Sequence, residues 1–85
     1  MIETEQFRTW LKENTSYSSA VIRDTISRIK RVDTILEWDS AEVYQFYLEH
    51  ESSYKSLSSS VRSQLKKAAT LYRMYYITSH GNKNG

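Results

Sequence analysis

The chain of 85 residues has no cysteine and no proline, and only two glycines, Gly81 and Gly85. Without cysteine there is no disulfide framework, no thiolate metal site and no thiol nucleophile. A β-rich domain of this size needs residues that tolerate positive φ in its tight turns. Nothing between Met1 and His80 supplies Gly or Pro, so the chain reads as all-helical. No apolar run approaches the roughly 18 residues that a membrane-spanning helix requires. The opening residues Met1-Ile2-Glu3-Thr4-Glu5 are acidic and lack the apolar core of a signal peptide. The expected compartment is therefore the cytoplasm. Acids are also missing from the last third: every Asp and Glu lies within residues 1–52.

What is present is 39% hydrophobic and 13% aromatic residues with a net charge of +2. That composition is too rich in Tyr and Ile for a disordered chain, and the length fits one domain with a small core. Four helices are expected, at about 3–13, 18–36, 40–51 and 59–77. Phe7, Trp10 and Leu11 form an i, i+3, i+4 stripe in the first. Ile22, Ile26, Ile29, Val32 and Leu36 continue the period in the second, behind Ser18 as its N-cap. Asp39-Ser40-Ala41-Glu42 has capping-box spacing at the start of the third, whose Val43, Phe46, Tyr47 and His50 share one face. Residues 52–60 are Ser-rich and read as a loop anchored by Tyr54 and Leu57, with Ser58 or Ser59 capping the fourth helix. That helix carries Val61, Leu65, Ala68, Tyr72 and Tyr75 in one stripe. Residues 1–78 thus form a single helical domain, and 79–85 a polar tail.

Little points to catalysis. The two histidines are far apart in the chain, no Gly-rich loop exists to hold a phosphate, and no carboxylates share a helical face at metal-binding spacing. No cofactor and no metal are expected. The tyrosines lie on or beside the apolar stripes, where the ring packs and the hydroxyl finds water or a backbone group.

Charge is the informative feature. Residues 53–85 carry Lys55, Arg62, Lys66, Lys67, Arg73 and Lys83 and no acid. On the last helix Arg62, Lys66 and Arg73 fall within about 40° of one another, interleaved with Ser59, Ser63 and Thr70. The second helix repeats the device with Arg23, Ser27, Lys30 and Thr34, and Arg31 beside them. Cations and small hydroxyls on one helical face suit the oxygens of a phosphate backbone. The same residues also fit a solvated outer face that pairs with the acidic third helix.

The order of the pieces resembles the N-terminal core-binding (SAM-like) domain of the tyrosine recombinase, or phage integrase, family. Phe7-Arg8-Thr9-Trp10-Leu11 is similar to the family's opening Phe-x-x-Tyr/Trp-Leu helix. Tyr17-Ser18-Ser19-Ala20-Val21-Ile22 looks like the start of its second helix. Asp39 to Leu48 resembles its third, and Leu57-Ser58-Ser59-Ser60-Val61 through Tyr72-Arg73-Met74-Tyr75-Tyr76 its last. The resemblance implies a four-helix SAM-like bundle that grips one side of double-stranded DNA through its second and fourth helices. By position, Arg23, Lys30, Arg31, Arg62, Lys66 and Arg73 become the DNA-binding residues. The catalytic domain of that family has no counterpart here, so a non-enzymatic module is expected. The rival reading is a helical protein–protein interaction or dimerisation module, which would display aromatics near Trp38, Tyr44 and Tyr54.

Overall fold

The computed structural model describes residues 2–80, and within them the chain forms five helices and no strand: α1 (Thr4–Asn14), α2 (Ser19–Ile35), α3 (Tyr44–Glu49), α4 (Ser52–Lys55) and α5 (Ser59–His80). The all-helical expectation holds. The helix count and two boundaries differ from the sequence reading.

The two long helices start where their caps dictate. Ser18 Oγ accepts the Val21 N–H at 3.2 Å, and Ser58 Oγ accepts the Val61 N–H at 3.3 Å, so each satisfies an amide that has no partner within its helix. The third helix does not begin at the expected cap. Asp39 Oδ1 accepts the N–H of Ala41, two residues on, at 2.8 Å. That contact closes a turn rather than a helix, and α3 begins only at Tyr44. Tyr54 turns the expected Ser-rich loop into the short helix α4. Its ring is buried and its hydroxyl donates to the Arg62 carbonyl at 3.0 Å. At the other end α5 continues through Ser79 and His80. The rest of the expected tail, residues 81–85, lies outside the described residues.

α2 and α5 make the most extensive helix–helix contact, and α1 packs on both. Ile22, Ile26, Ile29 and Val32 of α2 face Leu65, Ala68, Ala69 and Tyr72 of α5 in one core. Two adjacent alanines remove bulk where the β-branched side chains of α2 arrive. Tyr72 is the aromatic hub: Phe7 meets it edge-on at 5.0 Å and Trp38 at 4.7 Å. Its hydroxyl accepts the Glu3 N–H at 2.8 Å, so the buried phenol has a partner. Every other buried phenol finds one too: Tyr44 donates to the Leu36 carbonyl at 2.5 Å, and Tyr75 to the Glu3 carboxylate. The result is a flat body of 36 × 31 × 17 Å.

The buried face of α3 is not the expected one. Tyr44 and Leu48, an i, i+4 pair, enter the core. Val43, Phe46 and Tyr47 stay outside at 53%, 59% and 57% exposure. Conversely Trp38, Tyr44 and Tyr54, the aromatics expected at an interaction surface, are all buried. The turn at residues 41–43 and the 2.5 Å bond from Tyr44 to the end of α2 rotate α3 into this setting.

Candidate nucleic-acid interface

The six expected contact residues divide by helix. On α2, Arg23, Lys30 and Arg31 are exposed, and none has an ion-pair partner among the described residues. On α5, Arg62, Lys66 and Arg73 all turn toward α3 and α4. Arg62 Nη1 donates to the Lys55 carbonyl at 3.1 Å, and Arg73 Nη1 to the Ser40 carbonyl at 2.7 Å. Lys66 Nζ lies 3.2 Å from Glu49 Oε2. These three cations tie α3, α4 and the preceding turn to the long helix. They keep unused N–H donors on their outer sides, since a guanidinium has five and an ammonium three.

The hydroxyls divide likewise. Thr70 donates to the Lys66 carbonyl and Thr34 to the Lys30 carbonyl, both at 3.0 Å. A hydroxyl has one proton, so these two threonines offer an outside oxygen only lone pairs. Ser27, Ser59 and Ser63 are exposed and make no hydrogen bond within the described residues. Their hydroxyl protons are therefore not used within the described residues.

Two cations that sequence reasoning passed over are brought together by the packing. A groove of about 180 Å³ runs between α2 and α5, with Val21, Thr25 and Arg28 on one wall and Gln64, Lys67 and Leu71 on the other. Lys67 Nζ also sits 6.0 Å from the centre of the Tyr17 ring. A local signal for both walls exists in the sequence. Residues 21, 25 and 28 repeat at 4 and 3, and 64, 67 and 71 at 3 and 4, so each set lies on one side of its helix. What the sequence lacks is any sign that the two sets face each other.

The groove also locates the remaining cations. At 100° per residue Arg31 lies about 60° from Arg28 around α2, and Arg23 and Lys30 lie about 140–160° from it. Arg31 therefore extends the groove rim, whereas Arg23 and Lys30 sit on the far flank of α2. The outward surface of α2 and α5 carries Arg28, Arg31 and Lys67 at its centre, with Arg23 and Lys30 at one edge and Lys66 and Arg73 at the other. Asp24 is the acid on the α2 side of this surface, and α5 contributes none.

Among the described residues no group of three or more His, Cys, Asp or Glu side chains is placed to hold a metal, and no helix is long and apolar enough to cross a membrane. His50 is exposed at the end of α3, where its Nδ1 meets the Phe46 carbonyl at 2.8 Å. No family model, no curated protein and no solved structure matches the chain.

Proposed function

We propose that this chain is a non-catalytic DNA-binding module that lies along a duplex with the outward surface of α2 and α5. The observation that carries the reading is the α2–α5 groove. It brings Arg28 and Lys67, with Arg31 beside them, onto one surface, and none of the three has an ion-pair partner among the described residues. Cations on a helical surface that form no ion pair release the counterions condensed on DNA when they meet phosphates. Ser27, Ser59 and Ser63 add short neutral donors to the same oxygens. The resemblance to the integrase core-binding domain supports the same pair of helices. α2 and α5 supply few groups shaped for bidentate base contacts once Arg62 and Arg73 hold backbone carbonyls, so sequence selectivity is modest.

The test is a salt titration of the 85-residue chain on a labelled duplex, read by fluorescence anisotropy. About four phosphate contacts give roughly a hundredfold loss of affinity between about 50 and about 200 mM salt. Arg28→Glu with Lys67→Glu weakens binding at low salt by at least about tenfold, while the helical circular dichroism stays unchanged. Lys30→Glu with Arg31→Glu gives the same result from residues outside the groove lining, on its rim and on the far flank of α2. Absence of binding at low salt, or affinity indifferent to salt, overturns the proposal.

The second reading, a helical interaction module, needs an exposed apolar surface. It finds one on α3, though not at the aromatics expected from the sequence.

A further inference from the structure

Between Arg31 and Lys55 the chain has no Lys or Arg, and it has six acids: Asp33, Glu37, Asp39, Glu42, Glu49 and Glu51. This stretch makes the end of α2, the turn at residues 41–43, and α3. It also presents three of the six exposed large apolar side chains among the described residues, Val43, Phe46 and Tyr47. The Phe46 and Tyr47 rings meet edge-on at 5.6 Å, and the Phe46 ring lies 4.3 Å from that of His50. Beside them a cleft of about 200 Å³ opens between the end of α2 and α3. Leu36, Val43, Tyr44 and Tyr47 form its apolar lining, and Glu37 and Asp39 stand at its edge. Val43 and Tyr47 belong to both cleft and patch, so the two are one surface.

Acids outnumber cations around this surface. Burial pushes the Tyr44 phenol well above its ordinary value, and the carboxylates of Asp33 and Asp39 push it further. Lys66 is paired with Glu49, and Arg73, which keeps its charge while it holds the Ser40 carbonyl, is among the described residues the one cation lining the neighbouring cleft with Asp39 and Glu42. Glu42 is exposed and makes no ion pair among the described residues.

We infer that the Val43–Phe46–Tyr47 patch and its adjoining cleft are a docking surface for a basic, apolar-anchored helix of a protein partner. Exposed aromatics clustered beside a cleft are the usual anchors of such contacts. The acidic rim decides among occupants. Two copies meeting patch to patch would set Asp39 and Glu42 against their own equivalents, which like-charge repulsion opposes. A duplex is repelled for the same reason. A helix with apolar residues at i, i+3 and i+7 and Lys or Arg on its flanks fills the cleft and neutralises the rim. This surface shares no residue with the α2–α5 groove, so the inference does not depend on DNA binding.

The experiment is a titration of the isotope-labelled 85-residue chain with two synthetic helical peptides. Both carry Leu at the anchor spacing; one has Lys and the other Glu on the flanks. In support, the Lys peptide shifts the amide resonances of Val43, Phe46 and Tyr47, and the Glu peptide does not. Phe46→Ser with Tyr47→Ser weakens the Lys peptide by at least about tenfold. Asp39→Asn with Glu42→Gln weakens it several-fold and leaves the apolar anchors in place, so a loss common to both variants comes from this surface. Arg28→Glu with Lys67→Glu leaves the peptide affinity unchanged.

Four outcomes overturn the inference. Equal binding of both peptides, or shifts centred away from α3, removes the surface. Concentration-dependent sedimentation that Phe46→Ser abolishes assigns the patch to a second copy instead. Shifts at Phe46 and Tyr47 on adding duplex DNA assign it to nucleic acid.

Discussion

Lys66 Nζ stands 3.2 Å from Glu49 Oε2, joining a cation of α5 to the acidic helix α3. Gln45 donates to the same carboxylate oxygen at 3.1 Å. The Gln45 hydrogen bond, followed by the contact with Lys66, holds the Glu49 carboxyl below its ordinary range. A charge that α3 has already met is worth less to a phosphate. Glu49→Gln therefore strengthens duplex binding by a few-fold. It changes folding stability by no more than about 1 kcal/mol, as for other half-exposed pairs. Anisotropy and urea unfolding of the same variant check both.

The setting of α3 gives a pair of opposite expectations. Leu48 is fully buried in the common core, and Phe46, two residues earlier, is more than half exposed. Leu48→Ala removes buried methyl groups and costs about 2–4 kcal/mol. Phe46→Ala changes stability by about 0.5 kcal/mol or less. Denaturant midpoints order the two. The reverse order would mean that α3 presents the face that helical periodicity alone selects.

The Tyr72 hydroxyl accepts the Glu3 amide at the entry to α1, across 69 residues of chain. Tyr72→Phe keeps the ring against Phe7 and Trp38 and takes away only this acceptor. The expected loss is about 1 kcal/mol. Amide exchange should quicken first at Glu3 and the opening turn of α1, because the lost bond is local to them.

Glu3 also sets an acid dependence. Its carboxylate accepts from Tyr75 and meets His80 Nε2 at 2.8 Å. The Tyr75 hydrogen bond, then the His80 contact, holds its pKa below the ordinary value of 4.5. A folded-state pKa below the unfolded one means that the unfolded chain binds the proton first. The contribution is therefore complete above 4.5 and is lost as pH falls through the depressed folded value. Glu3→Gln flattens the acid limb of stability below pH 4.5, and urea midpoints measured from neutral pH downward show it.

Three helices were legible because their information is local. In α2 and α5 an apolar residue returns every third or fourth position for three turns or more, and in α1 Phe7, Trp10 and Leu11 hold the same spacing over one turn. Ser18 and Ser58 mark two of the starts. α3 was not legible in the same way. Its six residues hold two buried side chains, Tyr44 and Leu48, and a stripe that short can be drawn along more than one face. α4 rests on the Tyr54 ring and a hydroxyl bond to a carbonyl eight residues on, which no local pattern announces. The candidate interface divided in the same manner. The acid-free last helix and the exposed cations of α2 follow from composition and period. The engagement of Arg62, Lys66 and Arg73 by α3, α4 and the turn before them does not.

That this chain is helical and that its charge is polarised both follow from its composition and its local periodicity. The lack of Gly and Pro leaves the backbone no inexpensive route into tight turns, and periodicity is a property of neighbours three and four residues apart. Only the tertiary structure decided which charges remain available and which aromatics face outward. Those outcomes depend on contacts between different elements, from Arg62 with the Lys55 carbonyl, 7 residues away, to Lys66 with Glu49 and Tyr75 with Glu3, 72 residues away. Such contacts exist only once the helices that carry the two partners have packed.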